Sequence, residues 1–196
     1  MDKEQQIAFF DACASDWDAK LRPGELDIVA QIIEKIGVKL GDKIIDIGCG
    51  TGILYPFVSK YQPAQILSID LSSNMLKEFK QKHPEAELMK ADFEKINLDE
   101  NSFDKIIAFN VFPHFQDRAA VFNNAYKFLK TGGTFTICHS MTREELALVH
   151  AKREAVKNDK LPSAEEMRRL YETAGFKEVT VEEKAPGFFA RGVKYI

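Results

Sequence analysis

The chain has 196 residues, 45% of them hydrophobic, and a net charge of −3 with both signs interspersed. That length can bury one substantial core and leaves little for a separate substrate domain. The mixed charge argues against a nucleic-acid surface, and no run of ~18 apolar residues could cross a bilayer.

The opening Met1-Asp-Lys-Glu-Gln-Gln has no basic n-region, apolar h-region or small-residue cleavage site, so a cytoplasmic location is expected. Residues 3–37 read as helical, with Ile7, Phe10 and Cys13 in one stretch and Leu26, Val29, Ile32, Ile33 and Ile36 in another. Pro23-Gly24 splits them, and Gly37 can end the second. Strands are predicted near 43–47, 65–69, 86–90, 104–109 and 133–138, in alternation with helical segments. Thr142-Arg-Glu-Glu145 and Ser163-Ala-Glu-Glu166 each read as a capping box that starts a helix. The second of these helices stops at Ala174-Gly175. Phe176–Glu183 and Phe188–Tyr195 follow as sixth and seventh strands, joined through the turn Ala185-Pro-Gly. The three cysteines, Cys13, Cys49 and Cys138, are too few and too scattered for a disulfide framework or a zinc pattern, so reduced thiols are expected.

The densest signal is Ile44-Ile-Asp-Ile-Gly-Cys-Gly-Thr-Gly52, a buried-strand pattern running into a glycine loop. Glycines at 48, 50 and 52 let the backbone turn sharply and let a ligand approach it. A dinucleotide loop of the form G-x-G-x-x-G would put its third glycine at 53, where this chain has Ile53. Asp46 also disfavours a pyrophosphate, which needs bare amides and a positive helix end. A carboxylate there suits a ligand carrying an ammonium. At the end of the second strand, Asp70 can accept from ribose hydroxyls.

Together these residues resemble motif I and its sequel in class I S-adenosylmethionine-dependent methyltransferases of the small-molecule type. The resemblance implies a doubly wound α/β fold: a seven-stranded, mostly parallel sheet in the order 3-2-1-4-5-7-6, strand seven antiparallel, with helices on both faces. Ala91-Asp92-Phe93 is similar to the family segment in which an Asp accepts from the adenine amino group and the next residue borders the ring. Phe103–Asn110 resembles motif IV, which places Asn110 before the methyl group, and Leu129–Ile137 resembles the fifth-strand region. The implied cofactor is S-adenosylmethionine, with product S-adenosylhomocysteine. Its contacts would come from Asp46 on the ammonium, the amides of Gly48, Cys49, Gly50 and Gly52 on the carboxylate or ribose edge, and Asp70 on the ribose. Leu71 and Met75 would pack the adenine. Phe9-Phe-Asp-Ala-Cys-Ala-Ser-Asp-Trp17-Asp18 is similar to an F-D-x-x-A-x-x-W-D opening that lids the cofactor, with Trp17 over the methyl site. The expected organisation is a single domain, 1–196, with an N-terminal helical lid at 1–37 and a helical insertion at 140–162.

Three of the four histidines, His114, His139 and His150, fall on the acceptor side of such a fold. They are candidate catalytic residues, as a general base and orienting groups, or ligands to a divalent metal. Lys152, Arg153, Lys157 and Lys160 either attract an anionic acceptor or form a solvated helix face. The expected function is methyl transfer to a small-molecule acceptor, without nucleic acid or membrane as partner and with a homodimer left open. An S-adenosylmethionine-binding module without turnover and a nicotinamide-dependent oxidoreductase are the alternatives, the latter disfavoured by Asp46 and the glycine spacing.

Overall fold

The computed structural model describes residues 3–152, 154–184 and 187–196. The expected turn at Ala185-Pro186 and the side chain of Arg153 lie outside the described residues. A seven-stranded sheet runs β3-β2-β1-β4-β5-β7-β6, with β1 (Lys43–Ile47), β2 (Gln65–Asp70), β3 (Glu87–Lys90), β4 (Phe103–Phe109) and β5 (Leu129–His139) parallel. β7 (Gly187–Val193) pairs antiparallel with β5 and with β6 (Lys177–Lys184).

The central strands carry near-continuous apolar runs because helices cover both sheet faces. On one face, α2 (Glu25–Ile36) sets Val29, Ile33 and Ile36 against Ile44, Ile107 and Cys138. On the other, α5 (Arg118–Phe128) and α7 (Ala164–Thr173) bury Phe122, Phe128 and Tyr171 against Ile45, Ile106 and Phe135. The Tyr171 hydroxyl donates to the carbonyls of Phe135 and Ala190, at 3.2 and 3.1 Å. The remaining helices are α1 (Lys3–Cys13), α3 (Tyr55–Val58), α4 (Ser73–Lys82) and α6 (Arg143–Ala151).

Both capping boxes form. The Glu145 amide donates to Thr142 Oγ1 at 3.3 Å and the Thr142 amide to Glu145 at 2.8 Å, and Ser163 and Glu166 repeat the pattern. Gly37 caps α2 in the left-handed region at φ +68°. The fifth strand starts four residues earlier than its apolar run: Phe103 pairs with Leu129 but Lys105 pairs with Thr134. Residues 130–133 therefore bulge, with Gly132 at φ +79° accommodating the excursion.

Candidate functional site

The carboxyl ends of β1, β2 and β4 open into a cavity of about 250 Å³ that α1 and residues 17–25 border on its far side. This is the switch point of the sheet, where strand order reverses and adjacent loops separate. Asp46 lines it from β1, only 4% exposed, and among the described residues no cation pairs with it. Burial, then the charge of Asp70, pushes its pKa up to about 8.

The glycine loop departs from expectation in one respect. The Gly48 and Cys49 amides donate to the Ile69 carbonyl (2.7 and 3.1 Å), the Gly50 amide to Asp70 Oδ2 (2.8 Å) and the Gly52 amide to Cys49 O (2.9 Å). The first three of these amides, expected on the ligand, instead tie the loop to the end of β2, where the Ile69 carbonyl and the Asp70 carboxylate accept them, and the Gly52 amide closes a turn within the loop. Gly48, Cys49 and Gly50 still line the cavity, but Gly52 does not. A Cβ at Gly52 would meet the Phe79 ring at 2.6 Å, so this glycine serves helix packing. At Gly50 a Cβ would meet nothing within 4 Å, which marks it as the position open to the cavity.

Asp70 lies beside Gly50 and receives the Ser72 amide on Oδ1 at 2.8 Å. Its pKa is raised by burial, against the lowering effect of the Ser72, Gly50 and Leu71 amides. Leu71, Met75, Asp92, Phe93 and Trp17 all line the cavity. Asp92 is not a bare acceptor, because Lys3 of α1 pairs with it at 3.3 Å and with Glu94 at 2.9 Å. Asn110 follows β4 in the left-handed region at φ +54°, which Asn tolerates better than most residues. Its side chain clasps Ser140, accepting from the Ser140 amide (3.0 Å) and donating to Ser140 Oγ (3.1 Å).

Sequence reasoning missed the polar network beyond Asn110. Ser140 Oγ donates to the buried Glu25, and Arg22 pairs with Glu25 at 3.4 Å while donating to the Ser140 carbonyl at 2.6 Å. The N-terminal segment is thereby joined to the ends of β4 and β5. It is also pinned by Asp11, which accepts from Ser72 Oγ and the Asn74 amide, and by Asp18, which accepts from Thr51 and pairs with Lys82. The only local signal was the i,i+3 spacing of Arg22 and Glu25 at a helix start.

The three histidines part company. His114, in the short 3₁₀ turn Phe112–His114, and His150, on α6, both line the cavity, with ring centroids 5.5 Å apart. His139 is corrected: it does not line the cavity, because strand alternation on β5 turns Ser140 there and His139 toward Phe188 in the core. It is 1% exposed with both ring nitrogens unpartnered. Burial, then the neighbouring His114 and His150, lowers its pKa to about 3. Among the described residues no group of three or more His, Cys, Asp or Glu side chains could hold a metal ion, so the metal expectation finds no ligand set. Cys49 and Cys138 are free and buried, and Cys13 is free and half-buried. No helix among the described residues is long and apolar enough to cross a membrane.

A pH effect on stability follows for His139. Its folded pKa lies below that of the unfolded chain, so its contribution is present above about 6.5 and is lost as pH falls toward about 3. The slope approaches about 1.4 kcal/mol per pH unit within that window. His139→Leu is expected to flatten the loss of chemical-denaturation stability between pH 6.5 and 4, and an unchanged slope would contradict the placement.

A methyltransferase-domain family model matches residues 45–137, which run from β1 into β5. The chain is 29% identical over 174 residues to phosphoethanolamine N-methyltransferase 1 of Triticum aestivum, covering 84% of this chain and 34% of that protein. It is 32% identical over 109 residues to sterol 24-C-methyltransferase of Kluyveromyces lactis, covering 53% of this chain and 29% of that one. The chain thus spans about a third of the length of these curated relatives. The solved structure of an S-adenosylmethionine-dependent methyltransferase from Thermotoga maritima superposes with TM-score 0.76 at 19% identity, covering 96% of this chain and 99% of that one. The sheet order, the antiparallel seventh strand and the glycine loop beside Asp46 and Asp70 agree with these matches, and the chain has the fold of the class I S-adenosylmethionine-dependent methyltransferases, with a methyltransferase-domain match from β1 into β5.

Proposed function

We propose that this protein transfers a methyl group from S-adenosylmethionine to a small molecule. The observation that carries this reading is Asp46, a buried carboxylate without a cationic partner among the described residues, in a cavity that Gly50 and Asp70 also line. A cationic ligand with a ribose answers both acidic side chains, whereas a pyrophosphate would meet two acidic groups and no cation. When bound, S-adenosylmethionine supplies an electrophilic methyl group on a sulfonium.

The residues divide the work. Asp46 holds the ammonium, Asp70 accepts the ribose hydroxyls, and Leu71, Met75 and Phe93 enclose the adenine beside Asp92. Trp17 and α1 form a lid that excludes water, pinned by Asp11 and Asp18. The insertion between β5 and β6 completes a single-domain enzyme by walling the acceptor end with α6. Asn110, fixed by Ser140, sets the floor where the acceptor must approach, and such positioning contributes up to ~7–11 kcal/mol when geometry is right. His114 receives the proton that an oxygen or nitrogen acceptor gives up. The wheat relative's name supports a small amine acceptor, and the sterol relative's an apolar one.

Asp46 makes binding proton-coupled. In the free protein it is protonated below about 8, and a cation beside it favours the ionised form. Binding therefore releases a proton, and affinity is expected to rise with pH, by up to about tenfold per unit, until it levels off near that value. Calorimetry in buffers of different ionisation heat measures the release directly, and no proton release at pH 6.5 would argue against a cation on Asp46. Titration with S-adenosylmethionine and NAD tests the function itself: the first should bind and the second should not. S-adenosylhomocysteine should accumulate only when an amine or hydroxyl acceptor is supplied, and tight NAD binding would overturn the reading.

A further inference from the structure

We propose that Asp159, which does not touch the cavity, is a positioning residue that locks His114 and His150 in their Nδ1–H forms. This role rests on the reading of the cavity as a methyl-transfer site. Asp159 follows the 3₁₀ turn Glu154–Val156 in the segment between β5 and β6, and its amide donates to Val156 O at 2.9 Å, which fixes the backbone there. One residue then reaches two imidazoles by two different groups. Its carboxylate Oδ2 lies 2.7 Å from His114 Nδ1, and its backbone carbonyl lies 2.6 Å from His150 Nδ1.

Both partners settle the proton's location. A carbonyl oxygen can only accept, so Nδ1 of His150 carries a hydrogen; a carboxylate likewise only accepts, so Nδ1 of His114 does too. In the neutral ring the second nitrogen, Nε2, is then an acceptor. For His114 this is the ring nitrogen left to the cavity, because Nδ1 is turned to Asp159 and Asp159 is not among the cavity-lining residues. The ring is held on further sides. Phe10 packs edge-on at 5.1 Å, His150 lies tilted by 32° at 5.5 Å, and Gln6 donates to the His114 carbonyl at 3.0 Å.

The consequence is chemical. Imidazole in water favours the opposite, Nε2–H form, which would point a donor at the acceptor molecule. With Asp159 in place the wall presents a lone pair, which suits an acceptor whose reacting oxygen or nitrogen still bears a hydrogen. The carboxylate also stabilises the imidazolium through a charge-assisted bond once His114 takes that hydrogen. Phe115, Leu146, Val149 and Val156 line the same end with apolar surface, so this lone pair stands out from its surroundings.

The test reads the tautomer rather than turnover. Full-length protein labelled with ¹⁵N-histidine is compared by long-range ¹H–¹⁵N correlation at pH 8, with assignments from His114→Ala and His150→Ala. Wild-type His114 and His150 are expected as Nδ1–H forms. Asp159→Ala should move His114 to the Nε2–H form while leaving His150, whose partner is the main-chain carbonyl. Asp159→Glu keeps a carboxylate, which can only accept, and should restore the Nδ1–H form of His114. The dissociation constant of S-adenosylmethionine, by calorimetry, should change less than twofold in both Asp159 variants. Wild-type His114 in the Nε2–H form, or a His114 spectrum indifferent to Asp159→Ala, would overturn the proposal. Failure of S-adenosylmethionine to bind wild-type protein with the expected tautomers would overturn the functional reading and leave the positioning intact.

Discussion

Asp70→Ala is expected to weaken S-adenosylmethionine binding by two to four orders of magnitude. Hydrogen bonds to a charged group are worth about 1.5–3 kcal/mol each, and two ribose hydroxyls would lose their acceptor, for a total of about 3–6 kcal/mol. The substitution also orphans the Gly50 and Ser72 amides, which Asp70 accepts at 2.8 Å each, so the loop loses its tie to β2. Asp70→Asn separates these effects: it retains an oxygen acceptor without the charge and should fall between wild type and the alanine variant. Titration calorimetry reads both, and an alanine variant within threefold of wild type would remove Asp70 from the site.

The glycines of the loop should fail in two distinct ways. Gly50→Val is expected to abolish measurable S-adenosylmethionine binding while the protein stays folded, because its side chain would enter open cavity rather than protein. The left-handed backbone, at φ +53°, adds a stability cost of at least about 1–2 kcal/mol. Gly48→Ala is the contrast, since its Cβ would sit 2.3 Å from Val111 Cγ2 at φ +63°. Overpacking costs about 1–3 kcal/mol and adds to the backbone strain. Thermal melts should therefore show Gly48→Ala as the less stable of the two, and calorimetry should show Gly50→Val as the non-binder. The reverse ranking would mean that the cavity does not open onto Gly50.

Much of this was legible because local chemistry and tertiary role coincide. Thr142-Glu145 and Ser163-Glu166 cap helices through contacts three residues apart, and Gly37 ends α2 by a left-handed turn, so sequence spacing alone specifies them. The seven-strand order followed from the resemblance, with the run of apolar strands as its physical support. The parts that sequence could not reveal depend on contacts distant along the chain. Gly52 looks like Gly50 in sequence, and only the approach of Phe79 from α4 distinguishes a packing glycine from a ligand-facing one. His139 and Ser140 are adjacent, and which of them faces the cavity is fixed by the register of β5 against β7, where His139 pairs with Phe188. The spacing of Arg22 and Glu25 is local, but their union with Ser140, over a hundred positions away, is not. Asp159 meets His114 in the same manner, from 45 positions further along the chain.

The central claim is that this cavity receives S-adenosylmethionine with its ribose at Asp70 and its sulfur toward Asn110 and His114. A crystal structure of the protein with S-adenosylhomocysteine tests it most directly. Ribose hydroxyls are expected within hydrogen-bonding distance of Asp70, the amino group beside an ionised Asp46, and the sulfur facing the side of the cavity lined by His114 and His150. A nucleoside bound elsewhere, or bound here with its ribose away from Asp70, would contradict it.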